Sequence, residues 1–471
     1  MTGVVPDGIL RRREMAEPAA FGARAIVITA LLGAAGLLAL AWLMPSPFVR
    51  QLFPALFAIP IGIVCFVHPS LAVLGAVAII PLGPTELLPI ATNQAIALTK
   101  IAGIGAAGLS ALRYGISRQF NGPLLGFLAA GALAAAFGRT LPEVTLGETI
   151  RSLIGSLAPF AFISARYDRR FYSAFILAVL AGPLASVVLS IILEPVGIGN
   201  GPIGFGRLDG MLHPANLAGL STVAITAATL ELVRGDRRMI LWLGINAIIL
   251  VGSGARVPLL LVALFGLGIL LLARTAHFRF GHKLRLTAMA LPLVLVVAAI
   301  FGPQIIARSF TTWTGQAGFQ FSGRDIIWEL FIDVIALSPW FGYGIAAGRF
   351  AVSMEEVALL GSNAAHNEYL RLAVDVGVIG VVLIFLGFLV WIARETRRMP
   401  PGEATVVRGA ALVLALHSVT DNTLIALTMM VRVFWFALVF DRARTEAAAA
   451  RRFNPSSGRA RGAGGRPSAS R

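Results

Sequence analysis

Charged side chains are scarce in this sequence. Asp, Glu, Lys and Arg make up only 13% of the 471 residues, whereas 57% of the residues are hydrophobic. The charged share is about half of that in a typical soluble domain. A packed aqueous core has no room for so much apolar side chain, and long uncharged runs are stable only against lipid or against one another. The composition therefore excludes a soluble globular protein and predicts a polytopic membrane protein.

Signatures of metal and nucleotide chemistry are also absent. Cys65 is the only cysteine, so an intrachain disulfide and a cysteine-ligated metal cluster are excluded. The sequence has no His-Glu-x-x-His motif and no glycine-rich loop that ends in Lys-Ser or Lys-Thr. These are common motifs for zinc and for ATP. We therefore predict no metal and no cofactor.

The charge balance is strongly basic, with a formal net charge of +16. The Lys and Arg residues stand in short loops between apolar runs, which is the distribution that the positive-inside rule describes for cytoplasmic loops. We therefore assign the excess charge to membrane topology and predict no nucleic-acid partner. The basic segment 446–471, rich in Gly, Ser and Arg, predicts a disordered cytoplasmic tail that is attracted to anionic lipid.

Apolar runs recur along the chain and predict an all-α, polytopic transmembrane helix bundle of about 12–14 spans. The basic loops fit a topology with both termini in the cytoplasm, in which segment 1–24 precedes a transmembrane domain over 25–445. The runs lie near 25–44, 51–67, 71–90, 94–112, 123–138, 148–165, 171–193, 215–233, 239–253, 257–273, 286–302, 376–393, 406–420 and 423–440.

Three outer segments follow from this topology, at about 194–214, at 252–256 and in a large, partly helical loop at about 303–367. The positive-inside rule disfavours arginines on the outer side of the membrane. Those that stand there indicate an anionic ligand, although some of them can simply pair with lipid headgroups. They are Arg207, Arg256, Arg308, Arg324 and Arg349.

The large outer loop contains an amphipathic stretch. Between 325 and 337, apolar and acidic side chains fall on different helical faces, which predicts a helix lying on the membrane surface. Arg324 would stand in its first turn, where a guanidinium and free backbone N–H groups together can hold phosphate. A pairing of Arg324 with Asp325 or with a lipid headgroup is an equally weighted alternative.

A second candidate is the stretch from His366 and Asn367 to Gly377 and Gly380. As one helix, it has His366 in its first turn and both glycines on the same stripe, where another helix or a ligand can approach closely. The helix N-terminus and nearby arginines favour a neutral imidazole, which can accept a proton as a general base. A lone histidine at a helix start is more often a capping or packing residue.

The same stretch carries three charges at helical spacing. Glu368, Arg371 and Asp375 recur every three or four residues, so they lie along one helical face. We expect them to form an ion-pair ladder on the surface, without a part in catalysis.

Two shorter outer turns carry charged residues next to predicted spans. Arg207 and Asp209 are placed to pair in a turn, with Asn216 shortly after them. Arg256 falls where a span begins, and Pro258 suits the first turn of that helix. An arginine in so tight a turn must either reach interfacial water or bind a ligand.

In chain order these motifs resemble the signature of the O-antigen ligase and polysaccharide polymerase superfamily, over about residues 200–385. The N-terminal half is similar only in hydropathy, and the asparagine spacing in Pro-Ala-Asn and the number of spans depart from the family pattern. The similar stretches are Arg207-Leu-Asp209-Gly with Pro214-Ala-Asn216, Ser253-Gly-Ala-Arg256, Ser322-Gly-Arg324 with Trp328 ahead of Pro339-Trp-Phe-Gly342-Tyr-Gly344, and His366-Asn367 followed after nine residues by Gly377-x-x-Gly380.

This resemblance implies a metal-independent, inverting glycosyltransferase of the bacterial inner membrane, with its active site on the periplasmic face. The donor would be a glycan on undecaprenyl pyrophosphate. The acceptor would be lipid A core for an O-antigen ligase, or another lipid-linked glycan for an O-antigen or exopolysaccharide polymerase. The implied site has His366 as the catalytic residue, Arg256, Arg324 and Arg207 on the pyrophosphate, and Asn367, Gly377, Gly380, Asp209 and Asn216 in support.

The residues themselves are compatible with this chemistry, because guanidiniums can neutralise a departing pyrophosphate and an imidazole can deprotonate a hydroxyl. A lipid-linked oligosaccharide transporter or flippase is the alternative, since the helices and basic loops fit it equally well. A transporter, however, needs functional charges near the middle of the membrane. Lys100 is the only cation deep in the early spans, whereas the unusual residues gather in the outer segments.

Overall fold

The computed structural model describes residues 66–88, 90–198, 201, 203–204, 207–274, 281, 283–285, 288, 299, 324–360 and 362–453. The span predicted at 25–44, the N-terminal segment 1–24, residues 51–65 of the span predicted at 51–67, and nearly all of the span predicted at 286–302 lie outside these residues. Residues 303–323 of the predicted outer loop also lie outside them.

The described residues form a helical bundle, and the prediction of an all-α, polytopic fold is confirmed. One antiparallel ribbon joins β1 (Ile203–Gly204) to β2 (Arg207–Leu208). The helices are α1 (Pro69–Ala78), α2 (Pro84–Leu87), α3 (Thr92–Tyr114), α4 (Gly122–Phe137), α5 (Leu146–Ser164), α6 (Tyr172–Leu193), α7 (Pro214–Val233), α8 (Met239–Gly252), α9 (Arg256–Leu272), α10 (Arg324–Leu337), α11 (Met354–Leu360), α12 (Glu368–Thr396), α13 (Pro401–His417) and α14 (Leu427–Phe453).

Hydropathy located most of these helices accurately. The seven runs predicted from 94–112 to 257–273 match α3 to α9 to within two residues at each end. The run predicted at 71–90 instead divides into α1 and α2. Helix α14 continues to Phe453, into the segment 446–471 that we expected to be disordered. Within the described ranges, four helical segments are long and apolar enough to cross a membrane, namely Thr92–Tyr114, Arg169–Val196, Pro214–Val233 and Glu368–Thr396.

Basic loops predicted to be cytoplasmic meet at one end of the bundle. The backbone N–H of Arg166 donates to the carbonyl of Gly115 at 3.2 Å, which joins the loops after α5 and α3. Arg234, after α7, donates to Glu403 at the start of α13 (2.9 Å) and to the hydroxyl of Tyr172 at the start of α6 (2.6 Å). This shared end is what the predicted topology requires.

Helix α12 is interrupted at Gly377, whose backbone (φ 66°, ψ 177°) is not helical. The segment 339–344 fills the gap in the hydrogen-bond ladder, since Tyr343 N–H donates to the carbonyl of Val374 at 2.9 Å and Val378 N–H donates to that of Pro339 at 2.8 Å. A Cβ atom on Gly377 would lie 2.2 Å from the carbonyl carbon of Trp340. The predicted close approach at this glycine is confirmed, and no other residue fits there.

An outer apolar cluster, distinct from the main core, packs helix α10 onto the loop 343–352 and the first turns of α12. Ile327 and Phe331 of α10 are buried, as the amphipathic pattern predicted. Ile326 of the same helix is 50% exposed. The cluster fixes the position of α10 relative to α12.

Candidate active site

The candidate site lies at the opposite end of the bundle from the basic loops. Helices α7, α9, α10 and α12 all begin there, and the turn 418–426 between α13 and α14 lies among them. The N-terminal ends of helices carry free N–H groups and partial positive charge. This end of the bundle is therefore suited to anions before any side chain is considered.

His366 precedes α12 and does not stand in its first turn, so the predicted helical placement was wrong. The reason is Asn367, whose Oδ1 accepts hydrogen bonds from the N–H groups of Tyr369 (3.0 Å) and Leu370 (3.2 Å) and so caps the helix. His366 itself has φ 45°, in the left-handed region. Such a conformation costs about 1 kcal/mol or more in a residue other than glycine and has to be held by its surroundings.

Hydrogen bonds on both sides of His366 hold this conformation. Trp328 of α10 donates from Nε1 to the carbonyl of Ala365 at 2.8 Å. The N–H of Glu368 donates to the carbonyl of Ser418 at 2.8 Å. The His366 side chain remains 40% exposed. The backbone is thus fixed while the imidazole is still accessible.

Asp421 lies between two imidazoles. Its Oδ1 is 3.9 Å from His366 Nδ1, and its Oδ2 is 3.7 Å from His417 Nε2. Burial acts to raise the pKa of Asp421, but His366, His417 and the N–H of Asn422 outweigh burial and hold that pKa below its ordinary value. Asp421 is therefore ionised near neutral pH and places a negative charge beside His366.

Arg324, the first residue of α10, reaches the same turn. Its Nη1 donates to the carbonyl of Thr420 at 2.7 Å. Burial and the nearby charge of Arg256 lower the pKa of Arg324, and Asp421 opposes this shift. Arg256 begins α9, as its position before Pro258 predicted. Two guanidiniums from different outer segments therefore lie near one another, and that of Arg324 lies near Asp421.

Arg207 joins the ribbon to the turn before α9, because its Nε donates to the carbonyl of Ser253 at 2.7 Å. His213, which caps α7 by accepting the N–H of Ala215 at its Nδ1 (3.4 Å), stands next to it. Burial and the charge of Arg207 lower the pKa of His213, and His366 contributes in the same direction. Arg207 and His213 thus extend the group around His366.

Asp209 lies near Arg207 and His213. Its Oδ1 is buried and makes no hydrogen bond with any of the described residues. Burial raises the pKa of Asp209, while His213 and Arg207 lower it. A buried carboxylate oxygen without a hydrogen-bond donor is costly. A ligand hydroxyl or a water molecule that donates to this oxygen would remove that cost.

The predicted supporting residues differ in what they contact. Asn216 is exposed on the first turn of α7, three residues after His213. Gly377 contacts Trp340 and Phe341 at the helix break, and a Cβ atom on Gly380 would lie 3.1 Å from Cβ of Ala130 in α4. The two glycines position α12, whereas Asn367 positions His366 directly.

The charges on the first turns of α12 are buried, so the predicted surface ladder was wrong. Glu368, Arg371 and Asp375 are 0%, 5% and 2% exposed. Arg371 Nη1 lies 2.7 Å from Asp375 Oδ2, and Arg371 also pairs with Glu368. Helical spacing alone does not distinguish an exposed ion-pair row from a buried one.

This buried group also holds the turn that carries Asp421. The N–H of Leu424 donates to Glu368 Oε2 at 3.2 Å. Lys100 of α3 donates from Nζ to the carbonyl of Ile425 at 2.7 Å. Charges far from the surface therefore fix the position of Asp421 relative to His366.

The residues that sequence reasoning missed lie in or beside the turn 418–426. The signal was available, because the predicted topology places this turn outside the membrane, and the polar run from Thr420 to Thr423 separates two apolar spans. His417 and Arg432 are likewise ionisable residues in otherwise apolar stretches, which usually have a functional reason. In the described part of the chain, no three His, Cys, Asp or Glu side chains are grouped closely enough to bind a metal ion.

Asp421→Asn is expected to lower the turnover of the protein about 10- to 100-fold while leaving the fold intact, because the amide cannot stabilise a protonated imidazole at His366. The lowered pKa of Asp421 keeps the carboxylate ionised down to acidic pH. Any loss of wild-type activity between pH 5 and 8 therefore reports another group. Activity profiles of both forms over this range test the prediction, and equal turnover would contradict it.

One family comparison bears on the chain. Residues 239–385 match the family model described as O-Antigen ligase. This range includes Arg256, Arg324 and His366, whereas Arg207 and Asp421 fall outside it. No curated protein matched the chain. The resemblance to the O-antigen ligase superfamily is confirmed over the matched residues.

Proposed function

From this O-antigen ligase match, we propose that the protein is an inverting membrane glycosyltransferase that moves a glycan from undecaprenyl pyrophosphate to an acceptor hydroxyl. The reaction takes place on the periplasmic face of the bacterial inner membrane. The observation that carries the proposal is the grouping of Arg324 and His366, from the large outer loop, around Asp421, with Arg256 of another outer segment near Arg324.

The arginines have the role of holding and neutralising the donor pyrophosphate. Arg324 and Arg256 lie near enough for the charge of one to affect the other, and an anion bound between them would be attracted by both. Arg207 is a third clamp at the neighbouring ribbon. Since the glycosidic bond to phosphate breaks as negative charge builds on the pyrophosphate, guanidiniums at this point stabilise the transition state without a metal ion.

His366 has the role of general base. Its imidazole takes the proton from the acceptor hydroxyl as the oxygen attacks the anomeric carbon, and the carbon–oxygen bond to the pyrophosphate breaks on the opposite face. Asp421 stabilises the imidazolium that forms. Undecaprenyl pyrophosphate leaves, and the sugar is linked to the acceptor with inverted configuration.

The acceptor defines two versions of this function. A ligase uses lipid A core, and a polymerase uses another lipid-linked glycan. Both need the same arginines and the same base. Gel analysis of lipopolysaccharide and secreted polysaccharide from a deletion strain separates them, because lipid A core without any glycan indicates a ligase, whereas core that carries only a single repeat, or loss of secreted polymer, indicates a polymerase.

Purified protein in detergent, incubated with lipid-linked donor and acceptor, tests the reaction itself. We expect a glycan-extended acceptor and free undecaprenyl pyrophosphate. Detergent removes membrane compartments, so a flippase would release no product under these conditions. Absence of product with both acceptors, together with donor translocation in vesicles, would contradict the enzyme and favour the transporter.

A further inference from the structure

Arg432, in the first turns of α14, is a buried cation without a close partner. Its side chain is 6% exposed. Among the described residues, no carboxylate oxygen lies within 4 Å of its guanidinium, and no hydrogen bond joins it to another group. The nearest negative charge is that of Asp421. A buried guanidinium that lacks partners is costly, so an additional group is required beside it.

A small cavity supplies room for such a group. It measures about 10 Å³ and is lined by Arg432 and Gly219 together with His417, Asp421 and the threonines at 423 and 428. This volume is at the lower limit for one water molecule, and it equally suits a single oxygen atom of a larger anion. Because Asp421 and His417 also belong to the candidate active site, the cavity adjoins that site.

Asp421 does not neutralise Arg432 at short range. Its two oxygens lie nearest to His366 and His417, and neither comes within ion-pair distance of Arg432. Arg324, which is bonded to the carbonyl of Thr420 in the same turn, also lies near Asp421. Arg324 and Arg432 therefore share the negative charge of this one carboxylate.

We propose that Arg432 binds a phosphate oxygen of the donor, which makes it an additional pyrophosphate-binding residue. This inference rests on the proposed function and assigns separate guanidiniums to the two phosphate groups. Arg324 and Arg256 hold one phosphate at the mouth of the site, and Arg432 holds an oxygen of the other in the cavity. Arginine suits this role because its planar N–H groups match phosphate oxygens.

Calorimetric titration of the purified full-length protein in detergent, with inorganic pyrophosphate at low ionic strength, tests the proposal. Arg432→Gln is expected to weaken pyrophosphate binding at least about 10-fold, the effect of losing one charge-assisted hydrogen bond. Arg432→Lys should retain part of the affinity. Arg442→Gln is the matched control, because it removes an arginine of the same helix that pairs with Glu446 at the other end of the bundle. That variant should bind as the wild type does.

Gly219→Ala keeps the proposal testable if Arg432 variants do not fold. The added methyl group would lie 3.5 Å from Thr428 Oγ1, an ordinary contact, so the variant should fold while its cavity becomes smaller. It should bind pyrophosphate more weakly than the wild type, with every charge retained. Wild-type binding by Gly219→Ala would overturn the cavity as the site of the oxygen.

The role of Arg432 and the proposed function can be contradicted separately. If Arg324→Gln weakens pyrophosphate binding and a folded Arg432→Gln variant does not, the inference about Arg432 is wrong and the proposed function stands. If neither substitution affects binding, the pyrophosphate site itself is wrong, and the role of Arg432 falls with it. Loss of binding in both variants supports both.

Discussion

His366→Ala is expected to lower the turnover of glycan transfer about 10²- to 10⁴-fold, the usual contribution of a general base. The acceptor hydroxyl then has no group near it that can take its proton. Affinity for the donor should stay close to that of the wild type, because the arginines around Asp421 are unchanged. Initial rates with purified protein and lipid-linked donor, measured beside donor binding, separate the two effects.

His68→Ala is the matched control for that experiment. His68 precedes α1, and its side chain makes no capping hydrogen bond, so its removal should leave turnover unchanged. If the His366→Ala variant elutes from a size-exclusion column in detergent and unfolds thermally as the wild type does, the loss of turnover is due to the missing imidazole and not to misfolding. Wild-type polymer output from a folded His366→Ala protein would end the assignment of this residue as the base.

Arg324 is expected to show the second large effect. Arg324→Gln should lower kcat/KM about 10²- to 10³-fold, the range for removing one group that stabilises transition-state charge. Arg324→Lys should lower kcat/KM by nearly the same factor. Nη1 of Arg324 is already bonded to the carbonyl of Thr420, and only a guanidinium can keep that bond and still present further N–H groups to phosphate.

Arg349→Lys is the control for charge on the outer side. Arg349, like Arg324, is an arginine on the outer side, where the positive-inside rule disfavours it. Its side chain, however, is exposed and pairs with Glu148. A lysine can replace it there at little cost. The same assay should therefore give wild-type rates for Arg349→Lys. Full activity of Arg324→Lys would show that a point charge suffices and would remove the argument for paired contacts.

The sequence predicted the helices well because hydropathy reports a local property. Each run from α3 to α9 is predominantly apolar, and its limits follow directly from the sequence. The break at Gly377 was not predicted, since it depends on hydrogen bonds from a segment more than thirty residues earlier. The glycine at this position indicated that another helix or a ligand could approach closely, but it did not indicate that the backbone would leave the helical conformation.

The candidate site was predicted in part for the same reason. Arg256 was correctly placed, because Pro258 locates a helix start from neighbouring residues alone. His366 was misplaced, because Asn367 and His366 are both plausible caps, and the Asn367 side chain decides between them. Asp421 was missed since its role depends on the three-dimensional position of the turn 418–426, which is fixed by contacts to α3 and α12.

The interruption at Gly377 also makes α12 two mechanical parts. The nine residues before it are bonded to the turn 418–426 and to the segment 339–344, whereas the residues after it pack against α4, where a Cβ atom on Gly126 would lie 2.4 Å from the carbonyl oxygen of Leu383. When the bilayer changes thickness, a spanning helix tilts. Because the segment 339–344 is hydrogen-bonded to Val374 before the break and to Val378 after it, a tilt of the later part of α12 would be passed on to the part beside His366.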